Sequence, residues 1–440
     1  MFTYKISIKP KFLFIDMPLL YNFRMSKIVK FNNGLRLVLQ NISHSRAIAI
    51  GVSIGVGSSF ENNKTNGLAH FTEHMLFKGT KTRSAFDIVN YLEMIGVNIN
   101  AYTSKEQTMY YTLSSFEYME QCLEVLSDIF FNSTFNENEI EKEKGVIIEE
   151  INADLDNPES VCVDNLAKAY YGEKNYGLKI LGNIENIKKY NSQDFVEFVK
   201  NFYTSDNVVI SIAGKLDEEK SIALVDKYFN RNFVNTKKLE RSTDINLQFD
   251  SQVFIKDTKQ ANIAVAFPTY SAMENSYIHT VFNNLTTGGM SSRLFQKIRE
   301  ELGLVYDISL YALTYKNCGN MVLYLGTSNS LATKALDSIR EELDNIKSCG
   351  FTEDELKKGK EQVKLKIMLM QEQAMSVMRA NASKVVLFDK SFNIDKELEK
   401  LNEITLLDLL DYANKYIDYN KMASSYVGSD IKLDVLSSFK

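Results

Sequence analysis

Two stretches of this chain match each other across a wide gap. FNENEIEKEKGV, starting at Phe135, and FTEDELKKGKEQV, starting at Phe351, each place an aromatic residue at a turn that caps an acidic helix. The elements around them recur in the same order. In the first half, KIVKFNNGLRLVLQN reads as two short strands about an Asn-Gly turn, and RAIAIGVSIGVGSSF as a buried strand ending in a Gly/Ser loop. Helical periodicity follows at residues 66–80 and in SAFDIVNYLEMIG, then a strand hairpin in VNINAYTSKEQTMYYTLSS, then helices to about residue 203. NVVISIAG, at 207–214, closes that half with a strand. Strands, helices, strands and a helix then repeat from residue 251, with RNFVNTKKLERSTDINLQFD (231–250) as a polar linker between. A self-similarity of roughly 200 residues predicts a duplicated domain rather than a solenoid. The expected fold is α+β: two homologous α/β sandwich-like domains, each a mixed sheet with helices packed on it. Residues 1–24 form an N-terminal extension, 25–230 the first domain, 231–250 the linker and 251–440 the second domain.

Composition supports large cores, with 45% hydrophobic and 24% charged residues. A net charge of −5 and the absence of a Lys/Arg stripe exclude a nucleic-acid binder. No apolar run reaches the roughly 18 residues of a membrane span. The four cysteines, Cys122, Cys162, Cys318 and Cys349, are scattered, so each reads as a small buried apolar residue in a reducing compartment. Asp16 and Pro18 interrupt the apolar patch near the N-terminus, which argues against a secretory signal; the segment reads as an appendage, or as a start ahead of Met25.

Chemistry concentrates in NGLAHFTEHMLFKGT, residues 66–80. Two of the chain's four histidines, His70 and His74, are four apart here and share one helical face. They can turn two imidazoles toward one cation, and Zn2+ takes three protein ligands plus water in catalytic sites. Glu73, on the same turn, can reach that water as a general base without being a ligand. An acid from elsewhere must complete the set. On the long acidic helix, Glu143 and Glu150 are seven apart and face one side, so one could bind metal while the other orients a histidine; Glu149 points away. Paired helical histidines are often merely solvated. Against that, histidine is rare here, and at an ungapped offset the second copy carries Gly359 and Lys366 in place of Glu143 and Glu150. The copy also lacks the histidine pair. Joint loss fits one site held by one copy.

HxxEH with a distant glutamate resembles the inverted zincins: pitrilysin, insulin-degrading enzyme, the mitochondrial processing peptidase and their bacterial relatives of this chain's size. The resemblance runs from Met25 to about residue 430. It implies that His70, His74 and Glu150, 76 residues past His74, bind zinc, that Glu73 is the base and that Glu143 is the supporting glutamate. NAYTS looks like the family's edge strand, with Asn100 and Ala101 pairing with substrate backbone. GGMSSRLFQKIREELGLVYDIS, from Gly288, resembles the C-terminal signature, whose Arg and Tyr map to Arg299 and Tyr306 and hold substrate carbonyls. The family's usual His-Pro is replaced by Tyr176-Gly177, and the long glycine-rich loop of the non-catalytic processing subunit is missing.

The implied function is a zinc metalloendopeptidase for peptides or unfolded segments. In the family, two halves of this size close like a clamshell around a chamber. A chain holding both the zinc motif and the Arg/Tyr pair implies a homodimer, with each site completed by the partner's Arg299 and the partner's Tyr306. The alternatives are the catalytic subunit of a heterodimeric processing peptidase and a non-catalytic structural homologue. The expected setting is bacterial cytoplasm, or the mitochondrial matrix if the Phe-rich leader is a transit peptide.

Overall fold

The computed structural model describes residues 26–233, 245–274, 276–430 and 433–439. The extension at 1–24 and most of the expected linker lie outside these residues.

The first sheet contains β1 (Lys27–Lys30), β2 (Arg36–Asn41), β3 (Ala47–Ile54), β4 (Asn98–Thr103), β5 (Thr108–Ser115) and β6 (Val208–Gly214), in the order β1-β2-β6-β3-β5-β4. The second contains β7 (Ser251–Ile255), β8 (Gln260–Pro268), β9 (Asp307–Thr314), β10 (Gly319–Ser328) and β11 (Ala423–Gly428), in the order β7-β11-β8-β10-β9. Leaving out β1, both sheets begin with a parallel pair and continue antiparallel. The duplicated α+β reading is therefore correct. Gly34, at φ 93°, makes the expected Asn-Gly turn between β1 and β2, a conformation open to glycine because it lacks Cβ.

The helices of the first half are α1 (Leu68–Met75), α2 (Ala85–Glu93), α3 (Met119–Asn132), α4 (Glu137–Asp156), α5 (Pro158–Tyr171), α6 (Ile184–Lys189), α7 (Ser192–Phe202) and α8 (Glu218–Tyr228). Those of the second are α9 (Ile278–Thr286), α10 (Ala332–Cys349), α11 (Glu353–Gln371), α12 (Ala374–Phe388), α13 (Ile394–Glu403), α14 (Leu406–Tyr416) and α15 (Val435–Ser438). The repeated sequences form α4 and α11. Phe135 and Phe351 precede them, and Asn136 and Thr352 cap them. Two sequence expectations fail. The first half ends not with β6 but with α8, which buries Leu224 and Val225 in the first core. And Cys349, at the end of α10, is exposed, while Cys318 is only partly buried.

The two halves exchange a helix. The outer face of the second sheet is covered by α5, whose Val161, Cys162, Leu166 and Ala169 pack on Ala264, Ala266, Val322 and Val427. The outer face of the first is covered by α12. Its Val377, Met378 and Ala382 meet Ala49, Met109 and Ala213, and Val385 meets Val38 and Val209. Full burial of a Val or Met side chain contributes about 2 kcal/mol. Polar contacts fix the register: Ser211 Oγ donates to the Met378 carbonyl at 2.8 Å, and Arg36 Nη1 donates to Asp389 at 2.6 Å at the helix end. Neither sheet is closed by its own half alone.

Candidate metal centre

The helix with the two histidines starts without a side-chain cap of its own, because its N-cap is Gly67 at φ 97°. Glu61 supplies the missing acceptor. Its carboxylate takes N–H bonds from Gly67 at 2.9 Å and Ala69 at 2.7 Å, and one from the Asn66 side chain at 2.9 Å. Burial pushes the Glu61 carboxyl up to about 7 in spite of these bonds. Gly67 also abuts Gly182: a Cβ on Gly182 would lie 2.5 Å from the Gly67 Cα. Sequence reasoning found neither Glu61 nor this glycine contact. An acid shortly before an uncapped helix start was the available signal for Glu61.

On α1, His70 and His74 stand with ring centres 4.6 Å apart, and α4 brings Glu150 to both. Glu150 Oε2 lies 3.9 Å from His70 Nε2 and 3.7 Å from His74 Nε2, and one ligand atom from each residue falls within 4.8 Å of the others. A tetrahedral ion at about 2.1 Å from each ligand would hold them about 3.4 Å apart, so small side-chain adjustments suffice. Two imidazoles and a carboxylate are a zinc donor set, and the residues fit that ion. Glu149 is exposed and outside the cluster.

Glu143 is buried one heptad before Glu150. Its Oε1 sits 2.8 Å from His74 Nδ1, and its Oε2 pairs with Lys78 Nζ at 2.6 Å. A proton on Nδ1 would leave the Nε2 lone pair available to an ion shared with Glu150. Burial lowers the His74 pKa, but the Glu143 hydrogen bond and the charges of Glu150 and Glu143 outweigh it, so the net shift is upward. For Glu143, burial is outweighed by its bonds to His74 and Lys78, and its pKa falls. His70 is different. Burial, then its neighbour His74, lowers its pKa to about 3, which keeps the imidazole neutral, and its Nδ1 is buried without a partner among the described residues.

Glu73 lies outside the ligand set. Thr103 Oγ1, at the end of β4, donates a hydrogen bond to its Oε2. Burial raises the Glu73 carboxyl pKa more than that bond lowers it. A carboxylate shifted toward the working pH in this way is suited to general-base chemistry. Sequence reasoning missed Thr103 and Lys78. The first follows Asn100 by three residues, and the second follows His74 by one helical turn.

β4 is the edge of its sheet, as NAYTS predicts. Asn100 is exposed, and its Oδ1 accepts the Ala101 N–H at 2.7 Å. Arg299 and Tyr306 are not brought to the cluster. Arg299 lies exposed on a π-helical segment, Phe295–Glu301, with its guanidinium 4.8 Å from the Phe295 ring centre. Tyr306 lays its ring over Gly326, on the second sheet. Among the described residues, the ion pairs of His70 and His74 are with Glu143 and Glu150, and neither Arg299 nor Tyr306 takes part in them.

In the second copy, α9 and α11 take the places of α1 and α4. Gly359 faces Val281 and Leu285, close enough that a Cβ there would lie 3.2 and 2.8 Å from their methyls. Lys366 Nζ donates to Asn284 Oδ1 at 3.0 Å. Aliphatic packing and an ammonium occupy the ground that imidazoles and carboxylates hold in the first copy.

Two family models match: "Insulinase (Peptidase family M16)" over residues 36–184, and "Peptidase M16 inactive domain" over residues 189–363. The chain is 38% identical to an "uncharacterized zinc protease" of Bacillus subtilis over 87% of this chain and 93% of that protein. It is 29% identical to the bovine mitochondrial-processing peptidase subunit beta, over 92% of this chain and 85% of that one. A protease from Helicobacter pylori has the same fold, with a TM-score of 0.84 at 20% identity, covering 92% of this chain and 99% of that chain. With matches of this extent over both halves, the chain belongs to peptidase family M16, the insulinase family.

Proposed function

We propose that this chain is a zinc-dependent endopeptidase acting on peptides or unfolded segments. The observation that carries the reading is the convergence of His70, His74 and Glu150 beside a carboxylate, Glu73, that stays out of the ligand set. Bound at these three residues, zinc would polarise a water and a peptide carbonyl. Glu73 would take the proton from that water and return it to the departing amine, with Thr103 fixing one of its oxygens. Glu143 would hold His74 in the tautomer that ligates.

Substrate would lie extended along the β4 edge, adding a strand. An incoming carbonyl would replace Asn100 Oδ1 on the Ala101 N–H. Arg299 and Tyr306 would act on a site other than that of their own chain, as two copies closing into a chamber would arrange. The partner's Arg299 and the partner's Tyr306 would then hold substrate carbonyls. A second reading is a heterodimer, favoured by the likeness to a protein named as one subunit of a processing peptidase. Among the described residues no helix is long and apolar enough to cross a membrane, and the relative from Bacillus suits a bacterial cytoplasmic setting, with the mitochondrial matrix as the alternative.

Light scattering and peptidase assay of the zinc-loaded chain alone test both parts. An active dimer is expected. An inactive monomer would move the reading to the heterodimer, and an inactive dimer with full zinc would remove the endopeptidase reading.

A further inference from the structure

The exchanged helix α12 brings a cation to the β4 edge. The Arg379 guanidinium stands 4.5 Å from the Tyr111 ring centre and 5.6 Å from that of Tyr102. Both tyrosines belong to the sheet face that α12 covers, since Tyr111 is opposite Asn100 and Tyr102 is opposite Met109. Contact with ring faces holds a guanidinium in place without neutralising it. No carboxylate pairs with Arg379 among the described residues, and its Nε is buried without a hydrogen-bond partner. Strands β4 and β5 and helix α12 contain no Asp or Glu at all. The other cation of α12, Lys384, is engaged by Glu397. Among the described residues, then, no ion pair offsets the positive charge beside this edge.

A strand added to an edge alternates its side chains between the two faces of the sheet. On β4, Ile99, Ala101 and Thr103 face the α1 side, and Asn98, Asn100 and Tyr102 face the α12 side. Peptide residues aligned with the second set send their side chains toward α12. Neighbouring strands are about 4.8 Å apart, which a long Arg side chain spans. A carboxylate arriving there would meet the free N–H groups of a guanidinium already stacked on two rings.

We propose that Arg379 is a specificity-determining residue, which selects extended peptides carrying Asp or Glu at positions facing α12. The proposal rests on the strand-addition reading above and names the substrate class it implies. The second domain then contributes to substrate choice in the first domain through a helix of the same chain, separately from Arg299 and Tyr306.

The test uses the zinc-loaded full chain with Glu73→Gln, so that peptides bind without turnover. A neutral ten-residue fluorescent peptide is compared with versions carrying Glu in place of Gln at one position at a time. Glu should tighten binding by roughly threefold to tenfold, at alternate positions only, and less at high salt. With Arg379→Gln added, the Glu/Gln ratio should fall to about one, and Arg379→Glu should shift the preference to Lys. Equal affinities across the whole series, or an acidic preference that survives Arg379→Gln, would overturn the proposal. Cleavage of the neutral peptide by the unsubstituted chain is scored separately. Its absence would remove the endopeptidase reading, while the affinity ratio would still decide the role of Arg379.

Discussion

Glu143 Oε1 and His74 Nδ1 stand 2.8 Å apart, inside a contact closed on its other side by Lys78. On the proposed reading this carboxylate would stay off the metal and would set which nitrogen of His74 ligates. Glu143→Gln keeps the size of the side chain and removes its charge. Zinc affinity should drop by about 10- to 100-fold, the usual effect of losing a partner behind a metal ligand. Competition with a chelator measures it, and unchanged affinity would reduce Glu143 to a packing role.

The ligand and base roles separate by metal content. Glu150→Gln should lose zinc, because on the proposed reading its carboxylate would be the third donor beside two imidazoles. Glu73→Gln should retain zinc and lose turnover by at least about 10²-fold, the scale of general-base catalysis. Metal analysis with peptide assay of both variants checks this. Full zinc in Glu150→Gln would rule Glu150 out as a ligand, and Glu143, bonded to His74, would be the next acid to test.

Thr103 offers a finer test, since it bonds Glu73, the proposed base, and not His70, His74 or Glu150. Thr103→Val preserves shape and deletes the hydrogen bond to Glu73. Turnover should fall about tenfold, with zinc content and KM little changed, because one hydrogen bond to a charged group is worth about 1.5–3 kcal/mol when fully used. A rise in KM alone would assign Thr103 to the substrate edge instead.

Much of this arrangement was legible in the sequence, and the reason is local. His70 and His74 are one turn apart, and Glu143 and Glu150 two turns apart, so helical geometry alone puts each pair on one face. The duplication was legible because α4 and α11 kept the same aromatic residue and capping position. What escaped depends on contacts between distant segments. Nothing in the periodicity of residues 374–388 says that the helix covers the first sheet and not its own. Nor does the spacing reveal that Glu61 caps α1, or that Thr103 reaches Glu73 across 30 residues. Arg299 and Tyr306 were placed by resemblance, and one chain's geometry leaves them away from the metal cluster.

The helix exchange predicts that the two halves unfold together. Met378 is fully buried against the first sheet, with its sulfur over Gly51. Met378→Ala should destabilise by about 2–5 kcal/mol and should lower a single transition. Denaturant unfolding followed by tyrosine fluorescence and by far-ultraviolet circular dichroism checks it. Two separated transitions, with only the later one moved, would show that α12 docks as an independent unit.

The second domain carries its own acid-sensitive joint. Arg293, from the GGMSSR turn, forks onto Glu355 at 2.5 and 2.9 Å, and Glu355 also closes the capping box of α11 with Thr352. The Arg293 hydrogen bond, more than any other influence, lowers the Glu355 carboxyl from 4.5 to about 2. A carboxylate whose pKa is depressed by folding stabilises the fold fully above its unfolded value and loses that contribution as protons return. The native chain should therefore exceed Glu355→Gln in stability by about 1 kcal/mol near neutrality, a modest figure because the pair is partly open to solvent. That gap should persist down to pH 4.5 and close between 4.5 and about 2. Urea unfolding of both proteins at a series of pH values reads the gap directly. If it stayed constant across that window, the Arg293–Glu355 charge pair would not be its source.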